Sequence, residues 1–269
     1  MFYDCLAGTR AEVLSPEEET VRGLVVLNPA ESKRLIAKAV AALPEVKRAM
    51  KKGRVIISRG TTNAFVAEEI LGETIHKVRF AAGIVSMGEL GVVPEAERLE
   101  PQALVNGKPS QESFRHVLQD FDADDVFIKG ANAVDMWGNA GILVGNEESG
   151  TIGSAWPILT ARGSILIVPV GLEKLIPSVI EAAAGCGTRR WKYCMGTRVG
   201  FVTLTNAQVV TEIQALEVLA GVVASHVASG GIGGSEGAVV LALEGSDGQV
   251  SKAFELVKSV KGEVPVFGI

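Results

Sequence analysis

The residues best suited to chemistry fall in two short segments, Ser58-Arg59-Gly60-Thr61-Thr62-Asn63 and Lys129-Gly130-Ala131-Asn132-Ala133-Val134-Asp135. Each follows an apolar run rich in β-branched residues, Val55-Ile56-Ile57 in the first case and Val126-Phe127-Ile128 in the second. In an open parallel sheet, ligands bind just past the carboxyl ends of the strands. There Gly60 leaves room for close approach, Thr61 and Thr62 offer hydroxyl donors, and the backbone N–H groups of a helix start attract an anion. Ser58 and Asn63 bracket this loop as further ligand contacts. Lys129 comes directly off a buried strand. It can neutralise an anionic ligand or, with its pKa lowered, act as a base or an imine-forming amine. Gly130, Asn132 and Asp135 complete the second loop as ligand contacts, the latter two with a turn role as the alternative.

A third loop, Gly145-Asn146-Glu147-Glu148-Ser149-Gly150, sets two carboxylates ahead of an expected helix. Either is a candidate general base, which the helix start would help keep ionised, although acidic residues are common at helix starts. The catalytic candidates are therefore Lys129, Glu147 and Glu148. His76, His116 and His226 lie outside these loops and read as surface or packing residues. Cys5, Cys186 and Cys194 form no CxxC pair and have no histidine close in sequence, so neither a metal site nor a cofactor is expected. Cys186, between two glycines, reads as a structural thiol, with an accessible nucleophile as the alternative.

These loops need a scaffold, and composition supplies its class. With 47% hydrophobic and 21% charged residues, the 269-residue chain can bury a sizeable core as one large or two modest domains. A net charge of −5 argues against a nucleic-acid surface, and the one basic cluster, Arg189-Arg190-Trp191-Lys192, reads as a solvated turn. Three cysteines in a chain of this length suit a reducing compartment. The start, Met1-Phe2-Tyr3-Asp4-Cys5, lacks a basic leader with an apolar core, and no apolar run reaches spanning length. The expectation is a cytoplasmic protein without membrane or nucleic-acid partners.

Hydrophobic spacing predicts a helix from about Asn28 to Leu43, a short one to Met50, a strand Arg54–Ile57 and a helix from Thr62 to Leu71. Ser15-Pro16-Glu17-Glu18-Glu19 reads as a helix start or an exposed lead-in. Lys77–Val85 reads as a strand, 88–110 as short strands and turns, and Ser110–Gln119 as a helix capped by Ser110. Strands Val126–Ile128 and Ser164–Val168 alternate with helices Thr151–Ala161 and Pro177–Ala184. The alternation predicts an α/β fold, a mainly parallel Rossmann-like sheet with helices on both faces. From Gly200 the pattern changes: Phe201–Leu204, a helix capped at Thr205-Asn206, Val222–Ala228, Ala238–Leu243, helix Gln249–Val260 and Val264–Phe267. That order predicts a small ferredoxin-like βαββαβ domain over 201–269, after a ligand-binding domain over 1–200.

The strand, Ser58–Asn63 loop and helix to Gly72 resemble the superfamily of ribose-5-phosphate isomerase, glucosamine-6-phosphate deaminase and the CoA transferases, where a Gly-Thr-Gly-Ser/Thr loop holds the sugar phosphate. A later strand in that superfamily ends in Asp-Gly-Ala-Asp, whose acids move the proton. Here Lys129-Gly130-Ala131-Asn132 keeps the Gly-Ala core and replaces both acids. The resemblance implies a phosphorylated or otherwise anionic small metabolite (a sugar phosphate, nucleotide or CoA ester) held on Gly60–Asn63, and the unit over 201–269 is expected to pack against a neighbouring subunit of a homo-oligomer. It implies isomerase-like chemistry, with two alternatives: a non-catalytic sensor or assembly protein, or an acyl-CoA transferase using Glu147 or Glu148 as acyl acceptor.

Overall fold

Short strands alternate with helices throughout, and a computed structural model describes residues 19–266. β1 (Val21–Leu27) leads into α1 (Pro29–Ala42) and α2 (Pro44–Lys51), then β2 (Arg54–Ile57) and α3 (Thr61–Leu71). Two hairpins follow, β3 (Gly83–Ser86) with β4 (Glu89–Val92) and β5 (Gln102–Val105) with β6 (Lys108–Pro109). After α4 (Phe114–Gln119) come β7 (Val126–Ile128), β8 (Ala133–Val134), β9 (Ala140–Val144) and α5 (Gly150–Arg162). β10 (Ile165–Pro169), α6 (Val179–Ala184), β11 (Gly200–Leu204) and β12 (Gln208–Val210) precede α7 (Glu212–Ala220), β13 (Val223–Ser229), β14 (Val239–Gly245) and α8 (Asp247–Ser259).

β12, β10, β7 and β2 lie side by side and parallel, and β5 and β6 extend the sheet in antiparallel sense beyond β2. Successive side chains on a strand point to opposite faces, so one sheet feeds two cores. Val55, Ile57, Val126, Ile128, Ile167 and Val210 pack into one core with residues of α1, α2, α3, α7 and α8. Ile56, Phe127, Leu166, Val168 and Val209 pack into the other with α4, α5 and β9. Burial on both faces explains why these strands read as unbroken apolar runs.

Local signals set the helix starts. Asn28 Oδ1 accepts from the N–H of Ala30 and Glu31 while the Glu31 carboxylate accepts from Asn28 N–H, closing a capping box ahead of Pro29. Ser246 with Gln249 and Thr211 with Gln214 do the same for α8 and α7. Arg34 on α1 pairs with Glu68 and Glu69 on α3 and with Glu263, so one side chain ties two helices to the end of the chain.

Several expectations change. Residues 77–80 form turns rather than a strand, and the fully buried Phe80 accepts from Gly60 N–H through its carbonyl. α4 starts at Phe114 because Ser113, not Ser110, accepts from His116 N–H; the Ser110 hydroxyl takes Glu112 N–H instead. Thr205-Asn206 lies in a turn, and Thr211 caps α7 after an intervening strand. The expected helix lead-in at 15–18 and Phe267 lie outside the described residues, and 264–266 form no strand.

The βαββαβ arrangement expected for 201–269 is replaced by pairing across the Gly200 boundary. β11 pairs with β9 in a sheet of order β11-β9-β8, and β12 joins the parallel sheet beside β10. β13 and β14 instead complete a three-stranded sheet with β1, from the other end of the chain. Its inner face joins the α1 and α7 core, while Leu24, Val26, Val223 and Val227 are exposed on the outer face. No helix among the described residues is long and apolar enough to cross a membrane.

Gly141 of β9 lies opposite Thr203 of β11, and a Cβ at this position would approach Phe201 Cζ to 2.1 Å. Gly141→Ala should therefore overpack the β9–β11 pair and cost about 1–3 kcal/mol, read as a lower urea midpoint. An unchanged midpoint would show that the Phe201 ring turns aside freely.

Candidate functional site

The four parallel strands end on one edge of the sheet, and each delivers a polar residue there. Ser58 follows β2, Lys129 follows β7, Glu173 and Lys174 lie a short turn past β10, and Glu212 is two residues past β12. α1 adds Ser32 and Lys33 from its first turns. Lys129 Nζ donates to the Gly130 carbonyl at 3.1 Å, and Lys174 Nζ to the Ala131 carbonyl at 3.0 Å. Lys33 Nζ meets Glu173 Oε1 at 3.3 Å, both side chains being largely buried. Glu212, fully buried, accepts from Leu172 N–H at 2.9 Å. Gly171 makes room for this arrangement, since a Cβ there would lie 1.8 Å from Glu173 Oε2.

The environment narrows the usual gap between carboxyl and ammonium. Burial first, and then the neighbouring Lys174 ammonium, push Lys129 down to about 8. Burial likewise holds Lys174 below the ordinary lysine range, aided by Lys33 and opposed by Glu173 and Glu212. Glu212 is pushed up to about 7, chiefly by burial and then by the Glu173 charge. The Ser32 hydroxyl approaches Glu212 but closes no hydrogen bond of ordinary geometry. Glu173 Oε2 and Glu212 Oε1 are also buried without partners. Buried polar atoms normally find partners, so three orphans in one cluster mark a place built for more than packing.

The start of α3 adjoins this cluster. Asn63, fully buried, donates from Nδ2 to the carbonyls of Ser58 at 2.8 Å and Ile128 at 3.2 Å, which ties β2 to β7. Its Oδ1 has no partner and lies where a Cβ on Gly130 would meet it at 3.4 Å. No side chain caps α3, so the N–H groups of its first turn remain free. Packing does not demand glycine at residue 60, where a Cβ would make only ordinary contacts with Asn63 from 3.7 Å. A glycine here leaves the helix end open.

Of the residues singled out from sequence, Ser58, Gly60, Thr61, Thr62, Asn63, Lys129 and Gly130 belong to this edge, with Thr62 itself buried. Asp135 and Asn132 hold turns. The Asp135 carboxylate accepts from the N–H of Trp137, Asn139 and Val179 and from Asn139 Nδ2, which exhausts it. Asn132 Oδ1 accepts from Leu143 N–H on β9. Glu147 and Glu148 are exposed, and Arg189 grips Glu147 at 2.6 Å and holds its carboxyl below the usual range. Cys186 is partly buried, its thiol donating to the Ala182 carbonyl. Among the described residues no group of three or more histidines, cysteines or acids is placed to hold a metal.

Sequence reasoning missed Glu173, Lys174, Glu212, Ser32 and Lys33. The signal that finds the first three is the one that found Lys129, a polar residue shortly after a buried strand. A shallow hollow lined by Trp156, Thr160, Ser164 and Gln208 lies at the opposite, amino end of β10 and has no titratable side chain. No protein-family model, curated protein or solved structure matches the chain.

The Glu212 environment has a stability consequence with a definite sign. Its folded pKa lies above the unfolded value, so the folded state holds the extra proton and loses stability as pH rises between about 4.5 and about 7. Gln keeps the acceptor for Leu172 N–H without the charge. Glu212→Gln should raise the melting temperature at pH 8, on the order of 2 kcal/mol, and leave it nearly unchanged at pH 4.5. Equal effects at both pH values would show that Glu212 titrates normally.

Proposed function

We propose that the carboxyl edge of the parallel sheet binds a small phosphorylated or otherwise anionic metabolite and moves a proton on it, as an isomerase-like enzyme does. In this reading the four parallel strands are a Rossmann-like scaffold, and the Ser58–Gly72 loop and helix keep the phosphate-holding role of the superfamily they resemble. One observation carries it: among the described residues, Lys129 and Lys174 meet no carboxylate within ion-pair distance and rest on the Gly130 and Ala131 carbonyls. Both lysines are partly buried, and an ammonium drawn away from water is costly unless paired. An anionic ligand would supply the missing partner. The cluster of Lys33, Lys129, Lys174, Glu173 and Glu212 is net positive within a chain of net charge −5, which focuses attraction on this edge.

A metabolite sensor without turnover is the second reading. It is favoured by Asn132, which stands where the resembling superfamily has an acid and spends its carbonyl on Leu143 N–H. The acyl-CoA alternative fares worse, because Glu147 is exposed and engaged by Arg189. For the expected homo-oligomer, the support is the exposed apolar face of Leu24, Val26, Val223 and Val227. Light scattering should then give a mass of at least two chains, and a monomer mass would remove that part of the reading.

Thermal melts with sugar phosphates, nucleotides and CoA esters test the site. A ligand at 100 times its Kd should add about 2.7 kcal/mol. Lys129→Met should abolish that gain and Lys174→Met should weaken it, while the apo melts stay close to wild type or rise. If no anionic metabolite stabilises the protein, the reading fails. Where a ligand is turned over, Lys129→Met should slow the reaction at least a hundredfold, about 2.7 kcal/mol of barrier.

A further inference from the structure

We propose that Lys129 is an imine-forming lysine, and that the metabolite bound at this edge carries an aldehyde or ketone beside its anionic group. The inference rests on the anion-site reading and adds covalent chemistry to it. Its geometric basis is the separation of groups that would otherwise pair. Lys129 Nζ is held on the Gly130 carbonyl, Lys174 Nζ on the Ala131 carbonyl, Glu212 on Leu172 N–H, and Glu173 on Lys33. Both lysines rest on neighbouring carbonyls of one loop while Glu173 is taken by Lys33 and Glu212 by Leu172 N–H, so among the described residues Lys129 meets no carboxylate within ion-pair distance that would lock it as an ammonium. A second ammonium beside it and desolvation are the two means by which a lysine amine becomes nucleophilic at neutral pH. Both act here: burial and Lys174 bring Lys129 down to about 8, which leaves a useful fraction of free amine.

The chemistry balances with groups at this edge. The neutral Lys129 nitrogen adds its lone pair to the carbonyl carbon, and the carbonyl oxygen takes up a proton to give a carbinolamine. The nitrogen then expels that oxygen as water, forming the C=N bond. Formation of the protonated imine consumes one proton overall. Glu212, which burial and the Glu173 charge raise to about 7 so that it still carries a proton in part of the molecules near neutrality, is the acid that can supply it and is left as a carboxylate. The unpartnered Asn63 Oδ1 would accept from a hydroxyl of the substrate or of the carbinolamine. The cationic imine draws electrons from the adjacent carbon, and the Glu212 carboxylate is then the base for a proton on it. This gives the proton transfer of the preceding reading a specific route. Lys174 acts through Lys129 and is a positioning residue.

Reductive trapping tests this directly. Wild-type protein is incubated with dihydroxyacetone phosphate or pyridoxal 5′-phosphate and cyanoborohydride, then digested and mapped by mass. The expected result is a secondary-amine adduct at Lys129 well in excess of that at exposed lysines such as Lys258. Lys129→Arg keeps the charge but cannot form the imine. It should lose the adduct while melts with inorganic phosphate still show stabilisation. Lys174→Met should move the pH midpoint of trapping to more alkaline values, a change that a merely structural lysine would not cause. Adducts spread over lysines in proportion to exposure, with phosphate stabilisation intact, would overturn the imine and leave the anion site standing. Loss of both adduct and phosphate stabilisation in the wild type would overturn both readings.

Discussion

Complete burial of the parallel strands on both faces is the constraint on which the rest of this protein depends. Val126, Phe127 and Ile128 have no exposure at all, and Val55, Ile56 and Ile57 have none either. These stretches offer no position where a polar side chain could meet solvent or ligand, and the polar residues of β2 and β12, Arg54 and Gln208, stand at their amino ends. Chemistry is displaced to the first residues beyond the last ladder pair. Because the four strands are parallel and in step, those residues arrive on one edge from four separate parts of the chain. The candidate site is thus a by-product of sheet topology, with two packed cores beneath it.

The cluster is kept open by backbone tethers. Free lysines and glutamates this close would collapse into ion pairs, which satisfy charge and remove reactivity. Here the strand-end loops offer carbonyls and amides first: Gly130 and Ala131 to the lysines, Leu172 to Glu212. The arrangement is unfavourable for stability, since partly desolvated charges lack full compensation. Capping boxes on α1, α7 and α8 and the Arg34 network offset part of that cost elsewhere. The unpartnered polar groups thus sit at the sheet edge, and the reinforcing contacts sit in the helices.

Much of the scaffold was legible in the sequence, because burial leaves a periodic trace. The runs at 55–57 and 126–128 could be read as buried strands, and the loops after them led to Ser58, Asn63, Lys129 and Gly130. Legibility ended where one residue type serves two purposes. Asp135 and Asn132 look the same whether they hold a turn or a ligand; both oxygens of Asp135 are taken by its turn, while Asn132 gives its Oδ1 to Leu143 N–H. Glu212 was hidden because β12 is only three residues long and its valines merge with the helical pattern of α7. The pairing of β1 with β14 joins residues more than 200 positions apart, and no local pattern encodes it. The βαββαβ reading failed for that reason: Phe201–Leu204, Val222–Ala228 and Ala238–Leu243 do fall on strands, but β12 was read as helix, 264–266 form no strand, and the partners lay outside the segment.

Two glutamates show how environment, rather than residue type, assigns a role. Glu147 stands in the open with Arg189 and becomes a stronger acid, a permanent carboxylate with little to exchange near neutrality. Glu212 occupies the first turn of α7, where the helix dipole favours the ionised form, yet burial and Glu173 outweigh the dipole and raise it to about 7. Lys129 moves the opposite way, to about 8. In water a carboxylic acid and an ammonium lie about six pH units apart, so passing a proton from the ammonium to the carboxylate costs about 8 kcal/mol. At this edge the two scales nearly meet, and the same transfer costs on the order of 1 kcal/mol. A minor but accessible population then holds a neutral amine and a protonated carboxyl together at neutral pH. That is the pair of states from which addition to a carbonyl, and the return of a proton, can begin without assistance from solvent.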